Sequence, residues 1–529
     1  MKLSLDLNPA VPFLEITRKQ PARPALVVDG ETYSYADVAW MAGGIAGWLH
    51  QIPREAPLRV GILAGRSWEA YAGILAASWV GGTFVPLGLG LPATRVREIA
   101  KRAKLNAVVV DRNGLKRLTG DLGADFVPHL TSPGSRSSTV GSFRVTGRGE
   151  LSAIDPPKPE EVFEDSLAYL IFTSGTTGEP RGVRVSRWNL AHVLSVCSAY
   201  FGFSPEDRIS QTFENSYDAS IFDLFMAWLS GASLHVVPER ERLAPAHFIR
   251  SHELTVWNSV PAVVTFLRRM NLLKAGSFPS LKHSLFGGEP FPGSLAKAWR
   301  KAAPRSELYN MYGPTELTIH CSIERVGDPP NLTPGRGVLS IGKPIQGVAA
   351  GIVDESGRFR VAGENGELVF SGPVVTRGYL DDPDSTNRRY RTLVHPTLGS
   401  SLWFATGDLG HEDAQGFFHL TGRADFQVKV FGQRVELEEV EFHLREIDPT
   451  ADVVCCTRTT EDGRAEAIVA FRSGGTVPTA ALLDEMKKRV AGFMIPEEII
   501  EIEAIPRTEH GKADRSTLAG ILKDREWTR

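Results

Sequence analysis

The chain has 529 residues, 42% of them hydrophobic and 23% charged, with a formal net charge of −3. That length holds two or more domains with a substantial core, and the balanced charge gives no pointer to nucleic acid. No apolar run approaches the ~18 residues of a membrane span, and the start MKLSLDLNPAVPFLEITRKQ lacks the parts of a secretory signal, so a cytoplasmic enzyme is expected.

In chain order, strand-like RVGILAG at 59–65 is followed by helix-like EAYAGILAASWVGG at 69–82. Such alternation predicts an α/β fold of layered, mostly parallel sheets. The stretch 131–160, rich in Ser, Gly and Pro, reads as a surface connection, and GDPPNLTPGRG at 327–337 as a second loop. From about 340 to 420, short runs such as VAAGIVD and GELVFSG between glycine-rich turns predict a small β-rich subdomain. After GRADF at 422–426 the chain becomes more charged, and EEVEFHLREID, AEAIVAF and LLDEMKKRV suggest a small α+β domain. The expected division is a large domain at 1–424 and a small mobile one at 425–529, joined near Asp425. Cys197, Cys321, Cys455 and Cys456 are too few and too irregularly spaced for a disulfide framework or a zinc site.

The run LAYLIF at 167–172 breaks into TSGTTGEPRG, so a buried strand should deliver a glycine-rich loop to a sheet edge. Gly175 and Gly178 free backbone N–H groups to face an anion, Thr173, Ser174, Thr176 and Thr177 add hydroxyls, and Arg181 adds charge. The spacing is not the Walker pattern. On its own the loop fits either a phosphate cradle or an ordinary surface loop.

Other segments appear in a fixed order around it: YSYADVA at 33–39, AASWVGGTFVPLGLGLP at 76–92, YDAS at 217–220, NMYGPTE at 310–316, GELVFSGPVVTRGYL at 366–380, FATGDLG at 404–410, GRADFQVKVFGQRVELEEVE at 422–441, GFMIP at 492–496 and HGKADR at 510–515. With the glycine-rich loop, this series resembles the adenylate-forming superfamily, which includes acyl-CoA synthetases, luciferases and nonribosomal peptide synthetase adenylation domains. The resemblance covers almost the whole chain and implies use of ATP and Mg2+.

It further implies that residues 173–178 and Arg181 hold ATP phosphates, with Gly288, Glu289, Met311, Tyr312, Gly313 and Thr315 around the nucleotide. Tyr312 would lie against adenine, Asp408 would accept from the ribose hydroxyls, and Arg423 would reach the same nucleotide. Glu316, with Thr173, would hold Mg2+, an ion suited to one or two carboxylates plus phosphate oxygens. Lys512 would bridge the substrate carboxylate and the nucleotide as charge gathers on the α-phosphoryl group. Asp425 would be the hinge.

By the same resemblance, Asp218 would pair with an α-ammonium group, since a buried carboxylate needs a cationic partner. Ala219, Phe222, Asn258, Leu285, Gly287, Met311, Ile319 and His320, with Lys512, would complete the pocket. The set resembles threonine-activating adenylation domains, with serine or alanine as other small amino acids and an acyl- or aryl-acid CoA ligase as the other reading. His320 could equally be a satisfied core histidine, and Asn258 could bond backbone. Arg181 stands where the family commonly has lysine, Arg187 replaces a usual histidine, Ala405 an arginine and His510 an asparagine. No carrier-type serine motif is present, so the expectation is a free-standing enzyme that loads a separate phosphopantetheine-bearing carrier protein, with a small activator protein as a further potential partner.

Overall fold

The computed structural model describes residues 6–54, 57–123, 125–174, 179–242, 244–430, 432–460, 464–507 and 513–525. Among these residues the strands assemble into four sheets of nine, eight, five and five strands. The fold is α/β, as the alternation predicts.

The nine-stranded sheet has a parallel centre that includes Val256–Ser259, His283–Gly287 and Glu307–Tyr312, with antiparallel strands at its ends. The eight-stranded sheet is likewise parallel inside, and its outermost strand Arg181–Ser186 pairs antiparallel with Leu167–Thr173. The glycine-rich loop therefore joins an edge hairpin. One apolar core draws on both sheets and on helices Tyr35–His50, Trp68–Trp79, Arg187–Phe201 and Asp218–Ser230. The helix Asp218–Ser230 is apolar on nearly every side because it is covered all round, as its buried run Ile221 to Trp228 records.

Local chemistry explains two of the motifs. In YSYADVA, Ser34 caps helix Tyr35–His50: its Oγ accepts from Asp37 N at 3.1 Å, and Ser34 N donates back to Asp37 Oδ2 at 2.8 Å. This reciprocal pair satisfies two otherwise orphaned backbone donors. Ser186 and Asn189 cap helix Arg187–Phe201 in the same way. Arg187 is fully buried there, its Nη2 donating to Gly82 O at 2.5 Å, so this departure is a packing element inside the core.

The third sheet, antiparallel throughout and spanning Ala349 to Arg423, is the predicted β-rich subdomain. The fourth is built from Gln427–Val430, Gln433–Glu436, Ala451–Thr459, Ala465–Gly474 and Glu498–Glu501. It carries its own apolar cores, around Val440 and Phe471. One expectation is corrected: 131–160 is no mere connection, because Ser138–Val140 and Phe143–Gly147 form a hairpin that closes one edge of the eight-stranded sheet. Its β-branched residues flank Gly141, whose φ of 59° makes the turn. All four cysteines are buried and unpaired. Among the described residues no helix is long and apolar enough to cross a membrane.

Candidate active site

A cavity of about 680 Å3 opens at the carboxyl ends of the parallel strands Val256–Ser259, His283–Gly287 and Glu307–Tyr312, and the fourth sheet closes its other side. Open α/β sheets bind ligands at such strand ends, where backbone groups and loops converge. Asp218, Ala219, Asn258, Gly287, Gly288, Met311, Tyr312, Gly313, Thr315, Ile319, His320, Asp408 and Arg423 all line this one space, as do Thr173 and Ser174. Residues widely separated in the sequence thus meet on one wall.

Asp218 opens helix Asp218–Ser230. Its Oδ2 is buried with no hydrogen-bond partner. Burial pushes the carboxyl up to about 6, a hydrogen bond with Thr315 opposes that rise, and the Glu316 charge adds to it. A positive group delivered into the cavity would relieve the desolvated charge.

Beside it, Asn258 Nδ2 donates to Asp223 Oδ1 at 2.7 Å, so its amide bonds a side chain and not the backbone. His320 has no partner at either ring nitrogen, and burial pushes its pKa down to about 3. The imidazole is therefore neutral near pH 7, with one donor and one acceptor to offer. Phe222 does not face the cavity; its ring meets the His320 ring edge-on, with centroids 5.1 Å apart, and holds it from behind. Leu285 is also set behind the wall.

Two glycines permit this packing. A Cβ on Gly287 would stand 2.6 Å from Met311 O, and one on Gly313 would stand 2.3 Å from Ile319 O. The chain after YGPTE folds back on Gly313 through Thr318 and Ile319, whose φ values are 53° and 69°. Left-handed backbone at such residues costs about 1–3 kcal/mol each and persists only where neighbours enforce it. Thr318 Oγ1 does so by donating to Val374 O at 2.8 Å.

Elsewhere on the wall, Tyr312 OH donates to Asp408 Oδ2 at 2.5 Å and Arg423 Nη1 donates to Asp408 Oδ1 at 2.5 Å. Each carboxylate oxygen retains acceptor capacity for a further donor. Arg423 Nε and Arg389 Nη2 both donate to Asp425, at 2.7 Å each. Burial would raise the Asp425 carboxyl, but hydrogen bonds and charge from Arg423 and Arg389 win and hold it below the usual range.

Glu316 is wholly buried. Arg434 Nη1 lies 2.9 Å from both of its oxygens, and Tyr379 OH donates to Oε1 at 2.8 Å. Burial would raise this carboxyl, yet the Arg434 charge, together with hydrogen bonds from Tyr379, the backbone and Arg434, outweighs it and the pKa is lowered. Arg434 belongs to strand Gln433–Glu436, so this pair ties the fourth sheet to the turn Thr315–Leu317 between two strands of the nine-stranded one.

Besides Phe222 and Leu285, further expected residues are off the cavity wall, the buried Glu316 among them. Glu289 is not on the cavity wall: its Oε2 accepts from Ala262 N at 3.1 Å, in the first turn of helix Pro261–Arg269, where backbone donors are unpaired and a carboxylate is favoured. Arg181 is also off the wall; its guanidinium is 5.9 Å from the Tyr379 ring centroid and 3.8 Å from Asp382. Gly175, Thr176, Thr177, Gly178 and Lys512 lie outside the described residues.

Sequence reasoning missed Lys429, Gln433 and Arg434, which the cavity wall includes. Burial lowers the Lys429 pKa, and the Asp408 carboxylate partly restores it. All three lie in the GRADFQVKVFGQRVELEEVE segment. Alternation along QVKV puts Gln427 and Lys429 on one face, but nothing in the pattern says what that face meets.

The sequence profile of a family described as "AMP-binding enzyme" matches residues 13–380. The chain is 29% identical to tyrocidine synthase 2 of Brevibacillus parabrevis over 512 residues, covering 96% of this chain and 13% of that protein. It is 28% identical to tyrocidine synthase 1 of the same organism, covering 96% of this chain and 44% of that protein. The chain thus spans less than half the length of these curated relatives. Among solved structures, the Vibrio cholerae adenylation domain AlmE in complex with glycyl-adenosine-5'-phosphate superposes with a TM-score of 0.85 at 29% identity, with 98% of each chain covered. IdnL7 superposes with a TM-score of 0.70 at 31% identity, covering 98% of this chain and 99% of its own.

Proposed function

From the premise that the chain belongs to the AMP-binding enzyme family, an AMP-forming ligase, we propose that it activates a small L-amino acid, L-threonine before serine or alanine. The observation that carries this is Asp218, a cavity-lining carboxylate whose Oδ2 is buried and unpartnered. An α-ammonium group supplies the missing charge. A carboxylic acid without an amine leaves the same cost in place, which disfavours acyl- and aryl-acid substrates.

The reaction has two halves. A carboxylate oxygen of the amino acid attacks the α-phosphorus of ATP; a P–O bond forms, the bond to the β,γ unit breaks, and pyrophosphate leaves. A phosphopantetheine thiol of a carrier protein then attacks the acyl carbon, a C–S bond forms, its proton passes to solvent or base, and AMP leaves. In the first half Tyr312 and Asp408 orient the nucleoside, and Arg423 fixes Asp408. Lys512 is assigned the role of a positioned cation at the developing charge. We assign 1–424 and 425–529 as two domains that move about Asp425.

Mg2+ supplies charge neutralisation on the ATP phosphates. Glu316 and Thr173 present the hard oxygen donors it favours. Because Arg434 now stands on both Glu316 oxygens, binding of the ion there requires that guanidinium to withdraw.

The test is pyrophosphate exchange into ATP across the proteinogenic amino acids. Strongest exchange with threonine is expected. Preference for a residue without a β-hydroxyl would sink the threonine reading, and stimulation only by organic acids lacking an amine would sink amino acid activation altogether.

A further inference from the structure

Resting on that reading, we propose that Asp223 is a positioning residue for substrate selection: it holds the Asn258 amide so that Oδ1 faces the cavity as a hydrogen-bond acceptor. The site then selects an amino acid whose side chain carries a donor.

Asp223 is 1% exposed, sits on helix Asp218–Ser230 five residues after Asp218, and does not line the cavity. The hydrogen bond it accepts from Asn258 Nδ2, at 2.7 Å, comes from the pocket wall. The other carboxyl oxygen has no partner. Asn258 is fixed at its backbone as well: its N–H donates to Ser210 Oγ at 2.8 Å and its carbonyl accepts from Thr212 Oγ1 at 2.7 Å. What remains free is the rotation that exchanges Nδ2 and Oδ1. When ionised, Asp223 decides that rotation, because the flipped amide would then set two acceptors against each other in a buried site. Burial pushes the Asp223 carboxyl well above the ordinary range; its neutral form still accepts from Nδ2 but can also donate, so the constraint is complete only where the carboxyl is ionised.

The consequence reaches the substrate. With Nδ2 committed to Asp223, Asn258 offers Oδ1 to the cavity. His320 lines the same wall with both ring nitrogens buried and unpartnered, so a substrate group that reached the ring would meet a donor or an acceptor. A β-hydroxyl that donates to Asn258 and accepts from His320 satisfies both. Valine has the shape of threonine and leaves both groups unpaired, and a site built for a hydroxyl rejects such an analogue strongly.

The experiment compares kcat/KM in pyrophosphate exchange for threonine and valine in the wild type, D223N, N258L and the double variant, with ATP KM and Tm recorded for each. D223N keeps the shape but lets either amide rotamer pair. The expected result is a threonine-to-valine ratio that falls about tenfold in D223N, with ATP KM unchanged, and a double variant no less discriminating than N258L. A D223N protein that melts normally and keeps the full ratio overturns the role of Asp223. Additive losses in the double variant overturn action through Asn258. A wild type that prefers valine or alanine overturns the acceptor assignment, while absence of exchange with any amino acid overturns the underlying reading of the reaction instead.

Discussion

Arg434 Nη1 is equidistant, at 2.9 Å, from the two carboxylate oxygens of Glu316. A residue of the fourth sheet thereby neutralises the carboxylate of the YGPTE motif, which is buried off the cavity wall. If Glu316 has the metal-holding role proposed above, Arg434 and a divalent cation would be alternative occupants of one group. In R434Q the carboxylate keeps only Tyr379 OH, and the Mg2+ concentration for half-maximal exchange should fall about fivefold, a coupling of ordinary size. The check is a Mg2+ titration at saturating ATP, with Mg2+ binding by calorimetry as a readout independent of turnover; an unchanged or raised requirement contradicts the competition.

The same pair predicts an acid limb in stability. The folded-state pKa of Glu316 is depressed, so its contribution is present above the unfolded value near 4 and is lost as pH falls through the folded one. Thermal melts should show the R434Q protein less sensitive than wild type to acidification below about pH 4, because the wild type loses an ion pair that the variant never had.

Asp218 gives a limb in the opposite sense. Its carboxyl is raised to about 6, chiefly by burial. Above that pH the folded protein carries a buried charge that the unfolded chain solvates, so this group alone makes the fold more stable as pH falls toward 4. Substrate affinity runs the other way: kcat/KM for the amino acid should drop below about pH 6 as the carboxylate that pairs with ammonium is neutralised. D218N should lower kcat/KM by about two orders of magnitude, as expected for loss of one charged hydrogen-bonding partner, and should flatten that limb. A pH profile identical to wild type would count against Asp218 as the ammonium site.

For the nucleotide, Y312F removes the hydroxyl that donates to Asp408 while leaving the ring. ATP KM should rise about tenfold, in line with a charge-assisted hydrogen bond, and amino acid KM should stay within twofold. D408N should be worse, because it also releases Arg423. Equal effects on both substrates would point to a general packing defect.

G313A tests the turn after YGPTE. Its Cβ would meet Ile319 O at 2.3 Å and His320 Cα at 2.8 Å, so the segment bearing Ile319 and His320 must move. Both substrate KM values should rise and kcat/KM should fall at least 100-fold, a loss expected from sub-ångström misplacement of reacting groups. Circular dichroism should stay near wild type, since this turn joins only two of the nine strands of its sheet, Glu307–Tyr312 and Ser322–Arg325.

Much of this site was legible in the sequence because its parts travel in contiguous motifs: a strand end with its loop, or a helix start such as Asp218. Tyr312, Asp408, Arg423, Asn258 and His320 converge as their motifs suggest. What could not be read were contacts across elements far apart in the chain. Arg434 looks like one more charged strand residue until a second sheet brings Glu316 against it. Asp223 sits inside SIFDLFMAW, and only the covered helix reveals a buried carboxyl facing Asn258. Glu289 follows the glycines that do reach the cavity, yet a helix start nearby claims its carboxylate. The hairpin within 131–160 was obscured by its small residues, which read as loop until Ser138–Val140 and Phe143–Gly147 are seen to pair.

The parallel register aligns Asn258 with Leu285 and Gly287 with Met311 on adjoining strands. The wall positions Asn258, Gly287 and Met311 therefore cannot shift independently of one another or of Leu285 behind them. For anyone re-targeting the enzyme to another amino acid, swapping cavity-facing side chains one by one would leave untouched the inter-strand spacing that Gly287 sets and the amide rotamer that Asp223 sets. A productive redesign would have to transplant the strand pair together with its supporting helix, as a single cassette.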